Sequence, residues 1–300
     1  MKRLRAFSCV FLFACLLWAS GVDPLATTTT TAPVTLSGLD VPYTQNFNTL
    51  ASVSSSAVLP AGWALDETGG SFAVNGQYTI GDGSSIAGDV YSFGAMGSSD
   101  RAFGTLLTSL LSPMVGAAFT NGTGSTIRGL DIAYIGEQWR AGVTNRGIAD
   151  RLDFQFSVDA TSLTNGTWTD INALDLLSTN ISTTAGALDG NAAINRHGIA
   201  GTITGLNLAP GATIRIRWKD VDIAGGADDD GLAIDDFTLT PRGGVTTPPS
   251  ATGAASPASI NTGEPTLLTV TVTPGTNPSS TGLTVLGDLT GIGGSSWAYV

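Results

Sequence analysis

The sequence predicts an all-β fold, and three observations carry that prediction. Apolar and polar residues alternate with a period of two in run after run, while helical periodicity does not recur. Turn dipeptides such as Asn121-Gly122, Asn165-Gly166, Asp189-Gly190 and Pro210-Gly211 fall between the runs, at spacings that suit antiparallel strands. Only 12% of the residues are charged, and Gly, Thr, Ser and Ala are abundant beside Ile, Leu and Val.

Taken from the N-terminus, the first segment is a leader. Lys2, Arg3 and Arg5 precede an apolar stretch from Ala6 to Trp18, and Ala19, Ser20 and Gly21 supply the small residues of a cleavage site, so residues 1–21 read as a secretory signal peptide. The competing lipoprotein reading, centred on Cys15, fits Phe13 poorly, and the apolar run continues beyond the acylation position through Leu16 and Leu17. Export makes the expected location extracellular. Both cysteines, Cys9 and Cys15, lie in the leader, so the mature chain has no thiol for a disulfide, a thiolate metal site or a nucleophile. The leader also holds three of the 13 basic residues and none of the 24 acidic ones, which takes the formal charge from −11 to −14. A chain so acidic has no basic groove for direct nucleic-acid binding.

Residues 22–36, with Thr27 to Thr31, form a flexible spacer, and a first domain spans residues 37–241. Its clearest strands are marked by Leu130, Ile132 and Tyr134; by Leu152, Phe154, Phe156 and Val158; and by Ile214, Ile216 and Trp218, whose neighbours Arg215, Arg217 and Lys219 face the other way. The architecture expected is a two-sheet antiparallel sandwich of jelly-roll type. The phase slips in the closing strand, where Leu232 and Ile234 share one face but Phe237 and Leu239 fall on the other. Either that strand is buried on both faces, or a bulge near Asp235 and Asp236 resets the phase. Residues 242–256 lack large apolar side chains and read as a linker. Beyond it, Leu268, Val270 and Val272 alternate with threonines, and a second apolar run begins at Leu283. Residues 257–300 are therefore expected to be the opening of an immunoglobulin-like domain, truncated because such a sandwich needs about 100 residues.

Candidate chemistry concentrates in one acidic run, from Asp220 to Leu239. Asp220, Asp222, Asp228, Asp229, Asp230, Asp235 and Asp236 are hard oxygen ligands suited to calcium. An EF-hand is excluded, because Ala224 and Gly231 would occupy ligand positions. A structural calcium site remains, with Asn46 or Asn48 as partner if the first and last strands pair; the alternative is a solvated turn whose carboxylates bond backbone amides. Exposed aromatics of Trp63, Trp139, Trp168 and Trp218 could stack on sugars. Of these Trp218 alternates with core residues, and Trp139, between Glu137 and Arg140, is the best ligand-binding candidate. Glu137 with Asp150 and Asp153 would make a glycosidase pair, but Arg140, Arg146 and Arg151 offer simpler ionic partners. His197 is the single histidine and stands without a companion motif; Ser162 has no nucleophile elbow. Arg101 is expected to pin its loop through an aspartate.

The segments YTQNFNTL, YSFGAMGSSDRAFGTL, YIGEQWR, DRLDFQFSVDATSLTNGTWT, GALDGNAAINR and ADDDGLAIDDFTLTP together resemble the N-terminal jelly-roll module of large secreted bacterial proteins. The tail from Gly253 to Gly294 resembles the start of the immunoglobulin-like repeat that follows it there. The resemblance implies that an endonuclease/exonuclease/phosphatase or lamin-tail domain follows in the parent protein. The expected function is then a non-catalytic binding or spacer module that attaches a hydrolase to polysaccharide or another extracellular surface. Its alternative is the N-terminal fragment of such a hydrolase, with the catalytic domain beyond residue 300.

Overall fold

The computed structural model describes residues 31–70, 74–222, 229–244, 247–275, 280, 282–292 and 298–299. The leader and most of the spacer lie outside the described residues. In chain order the strands are β1 (Val34–Leu36), β2 (Tyr43–Gln45), β3 (Trp63–Gly69), β4 (Thr79–Gly81), β5 (Asp89–Phe93), β6 (Ala102–Leu106), β7 (Leu111–Asn121) and β8 (Gly129–Ala141). They continue with β9 (Arg151–Ser157), β10 (Thr169–Asp170), β11 (Leu176–Leu177), β12 (Gly186–Ala187), β13 (Arg196–Ile203), β14 (Thr213–Val221) and β15 (Gly231–Arg242). Among the described residues helical structure is confined to two single 3-10 turns, Asn172–Leu174 and Thr290–Ile292, and none is long and apolar enough to cross a membrane.

These strands form two facing sheets, a jelly-roll-like sandwich. The first runs β1-β7-β14-β9-β10, with β3 also on β7 and β11 on β9; the second runs β12-β8-β15-β6-β5-β4, with β13 on β8 and β2 on β15. Alternation in sequence becomes a division of faces. Ile214, Ile216 and Trp218 of β14 point into the core with Leu130, Ile132, Tyr134, Leu152 and Phe154, while Arg215 and Arg217 point away. Trp63 and Trp218 stack at 6.1 Å, and Phe237 meets them edge-on at 5.4 and 5.8 Å. Such aromatic pairs each add about 0.5–1.5 kcal/mol beyond area burial.

Three boundaries differ from expectation. Val34–Leu36, read as spacer, is β1 and pairs parallel with Phe119–Asn121 of β7. Val158 is exposed, because β9 ends at Ser157, whose hydroxyl accepts the amides of Asp159 and Ala160 and turns the chain. Half of the predicted linker is strand: β16 (Ser250–Ser256) pairs antiparallel with β17 (Leu267–Thr273), the small residues of one facing the valines and threonines of the other. A second two-stranded sheet joins β18 (Leu286–Gly287) and β19 (Ala298–Tyr299).

Of the two readings the sequence leaves open for the closing strand β15, a strand buried on both faces or a bulge, the structure shows the bulge. The strand pairs with β8 along its length, and the register shifts by one residue between Asp235 and Thr238. Asp236 takes the left-handed conformation there, φ 46°. The extra residue restores the phase, so Leu232, Ile234, Phe237 and Leu239 all reach the same core. Its position coincides with a change of partner on the other edge, from β6 at Leu232–Ile234 to β2 at Phe237–Leu239.

Candidate functional site

The structure splits the acidic run into two unconnected places. At one end of the sandwich Asp220 closes β14, only 2% exposed, and accepts the Thr105 hydroxyl at 2.7 Å through Oδ2. Burial, with Asp150 and Asp229 near, pushes its carboxyl well above the ordinary value. Asp230 accepts the Gly142 amide (2.8 Å) on Oδ1, and the Gln138 amide nitrogen (2.9 Å) and Ser178 hydroxyl (2.5 Å) on Oδ2. Its own amide donates to Asp150 at 2.9 Å. Arg146 reaches Asp150 at 3.1 Å and Asp229 at 3.6 Å, while burial pushes Asp229 up to about 7. Asp222 is exposed, and Asp228 lies outside the described residues.

The single calcium cluster drawn from Asp220, Asp222, Asp230, Asp235 and Asp236 is therefore corrected. Asp230 spends both oxygens on protein donors, and Asp235 and Asp236 sit on the far side of β15's paired segment. Among the described residues no group of three or more His, Cys, Asp or Glu side chains is arranged to hold a metal ion.

The second place is the bulge. Asp235 is buried, its Oδ1 accepting the Asp236 amide at 2.7 Å, and desolvation pushes it up to about 8, with Glu137 and Asp236 adding to the effect. Asp236 is exposed and lines an open hollow of about 420 Å³ with Thr44, Gln45, Asn46, Phe237 and Thr238. Strands β2 and β15 do pair, which brings Asn46 to Asp236; Asn48 instead accepts the Arg101 amide at 2.9 Å. Arg101 itself is held by Ser92 and the Ala95 carbonyl, not by a carboxylate.

The ligand-binding candidates Glu137, Trp139 and Arg140 come together, but as packed structure. A second register shift, with Gly231 opposite Arg140 and Leu232 opposite Gln138, leaves Trp139 as an extra residue in β8. Alternation from Tyr134 already turns Glu137 and Trp139 away from the main core, and the extra residue adds Arg140 to the same face, where Trp139 joins Tyr91, Phe93, Ala102, Leu106 and Ala233. Its ring stacks on Phe93 at 6.0 Å and 8°, and its Nε1–H donates to Glu137 at 2.9 Å. Gly190 closes the site: a Cβ there would lie 2.3 Å from the indole. At 2% exposure Trp139 offers a sugar no platform, which corrects the expectation of an exposed aromatic. Glu137, 1% exposed, is pushed up to about 7 by burial and has Arg196 at 3.9 Å. Arg140 is buried and donates to the Gly83 carbonyl at 3.1 Å.

The remaining candidates disperse. Asp150 pairs with Arg146, and Asp153 with Arg151 at 3.3 Å on β9 of the first sheet, so neither joins Glu137 on the second. His197 is half-buried, and burial lowers its pKa. Trp63 and Trp218 are core. Trp168 is half-covered by the Arg217 guanidinium, 4.0 Å above its ring.

What the sequence did not flag is a strip of small residues on the second sheet, threonines and alanines beside Asp131. Asp131, Ala133, Ala200, Thr202, Thr238 and Thr240 line a further open hollow of about 360 Å³, which shares Thr238 with the first. Thr238 and Thr240 stand at the outward positions of β15, alternating with inward Phe237 and Leu239. That alternation is the signal, and it passes unnoticed because threonine carries no distinctive chemistry. Thr202 donates to Asp131 at 2.8 Å, and Arg242 beside it holds the Asp131 carboxyl below its ordinary value.

Neither the protein families nor the curated proteins compared include a match to this chain. Solved structures share its general form at low identity. A structure of TmCBM61 in complex with β-1,4-galactotriose is 11% identical, covering 59% of this chain and 88% of that one, with a TM-score of 0.30. The CBM22-1 xylan-binding domain from Paenibacillus barcinonensis Xyn10C is 12% identical, covering 70% and 99%, with a TM-score of 0.33. The K2 cleaved adhesin domain of Lys-gingipain is 13% identical, covering 66% and 97%, with a TM-score of 0.35. Likeness at this level bears on neither ligand nor ancestry.

Proposed function

We propose that residues 34–242 are a non-catalytic binding module of a secreted multidomain protein, which attaches it to polysaccharide or another extracellular glycan. The observation that carries this is the continuous open strip on the second sheet, where Thr44, Thr202, Thr238 and Thr240 present hydroxyls between Asp131 at one end and Asp236 and Asn46 at the other. Hydroxyls, carboxylates and amides are the complement of sugar hydroxyls, and the small side chains let a chain of rings lie flat. Candidate acids and bases that a hydrolase would use, Glu137 and Asp235, are buried under their neighbours instead. In the same reading a structural calcium belongs in the Asp236–Asn46 hollow, which the exposed Asp236 carboxylate lines with Asn46, whose Oδ1 accepts the Asn48 amide at 3.3 Å.

A glycan-array screen of the mature protein tests the proposal. Binding is expected, and Thr238→Arg, which fills both hollows, should weaken it by about tenfold or more. Retention of full binding in Thr238→Arg and Thr202→Arg would sink the site. Nuclease or phosphodiesterase turnover by this chain in Mg²⁺ or Ca²⁺, lost in Glu137→Gln or His197→Ala, would sink the non-catalytic reading and favour the hydrolase.

A further inference from the structure

A second acidic feature lies away from that strip, at the join between the two sheets. Glu67 lies in the C-terminal half of β3 in the first sheet, and Asp89 begins β5 in the second. They are 2% and 7% exposed, and their carboxyls meet within hydrogen-bonding reach. Glu67 Oε2 accepts the amides of Asn75 (2.9 Å) and Gly76 (3.1 Å). Asp89 accepts the Thr79 hydroxyl at 2.7 Å and the Val90 amide at 2.8 Å. Oε1 of Glu67 is buried and has no hydrogen-bond donor among the described residues.

Two carboxylates cannot bond each other without a hydrogen, and both repel if both are charged. Among the described residues no Arg, Lys or His acts on either carboxyl. Asp66, one residue back on β3, acts on Arg217, and Tyr91, next outward position on β5, bonds Ser85 and the Ala87 carbonyl and feels Arg140. Opposite Glu67 on β7 stands Pro113, and the intervening residues 71–73 are Ser, Phe and Ala, which bring no charge. With no cationic side chain among the described residues acting on the pair, one proton held between the two carboxyls relieves their repulsion.

We propose that Glu67 and Asp89 share one proton and so form a clasp between the two sheets, one that rising pH opens. Opening releases that proton to solvent and leaves two facing carboxylates; no covalent bond between heavy atoms changes. The clasp holds the Asn75–Gly76 turn and, through Thr79, the edge strand β4. The sign follows from burial, which pushes Glu67 up to about 7 and raises Asp89 too. Both carboxyls bind protons more tightly folded than unfolded, so their contribution is complete in acid, below about pH 4, and is lost as pH climbs through 7.

Selective ¹³C labelling of glutamate carboxyls gives signals from only three residues, Glu67, Glu137 and Glu264. The Glu67 signal is expected to titrate near pH 7, and Asp89→Asn should lower its midpoint by about one unit or more while leaving Glu137 in place. Glu67→Gln replaces the proton by an amide and should reduce the loss of melting temperature between pH 6 and 9 by roughly 2–4 °C. A Glu67 midpoint at the ordinary value of about 4.3 overturns the clasp, as does one unmoved by Asp89→Asn. Should Asp89→Asn fail to fold, a Glu67→Gln melt with the parent's pH dependence overturns it equally.

Discussion

At the scale of single residues, the same side chain, aspartate, does three different things within one stretch of sequence. Asp230 is a hub whose oxygens are filled by Gly142, Gln138 and Ser178. Asp220 is a buried acid under Thr105. Asp236 alone, among those described here, has a carboxylate open to solvent beside another oxygen ligand, Asn46. Nothing in the sequence separates these roles, because burial is decided by strand pairing far away. If calcium binds in the hollow, it stabilises the native state by mass action, and the melting temperature should be higher in excess calcium than in chelator. The difference should vanish in Asp236→Asn and persist in Asp222→Asn. Identical melts of the parent protein under both conditions would end the calcium reading. Trp139 teaches the opposite lesson: flanked by Glu137, Gln138 and Arg140 it has a surface context, yet Phe93 and Gly190 enclose it.

At the scale of elements, the two bulges explain what was and was not legible. The bulge in β15 was legible as one of two alternatives, because four large apolar residues straddle it out of phase and either a bulge or burial of both faces accommodates them. The one in β8 was not, since past Tyr134 the inward positions hold Gly136 and Gln138 and no apolar signal remains to slip. A consequence can be measured. Removing the bulged Asp236 leaves Leu232, Ile234, Phe237 and Leu239 in simple alternation, so the deletion should still fold, with a melting temperature lower by no more than about 10 °C. Removing Ala233 instead sets Ile234 against the solvent face and Asp235 against the core, and should abolish cooperative melting. Equal effects of the two deletions would show that the bulge does not set the register. The arginines of β14 were legible as outward-facing but not as fasteners: Arg215 and Arg217 hold the carbonyls of Ala160 and Leu163, folding the segment between β9 and β10 over the first sheet.

At the scale of the molecule, alternation and turn signals were enough for an all-β sandwich, but not for its strand order. The pairing of β1 with β7, parallel and 85 residues apart at Val34 and Phe119, leaves no local trace. The same physics divides the chain in two. Within 34–242 the sheets bury a continuous core, from Leu36 to Leu239. Beyond it, β16 and β17 make one hairpin whose Leu267 is 68% exposed, with Ile260, Leu283 and Leu286 exposed as well. A hairpin without a covered face gains little hydrophobic stabilisation and opens readily, whereas the sandwich opens only by global unfolding. Trypsin cannot report this, because no Lys or Arg follows Arg242. Thermolysin, which cuts beside large apolar residues, should therefore attack near Leu267, Leu283 and Leu286 first and leave a resistant fragment ending between Arg242 and Leu267. Its far-ultraviolet circular dichroism should match a sheet protein with negligible helix. Cleavage inside 34–242 at the same rate as in the tail would mean that the two parts are stabilised together, through contacts that the exposed hairpin does not make on its own.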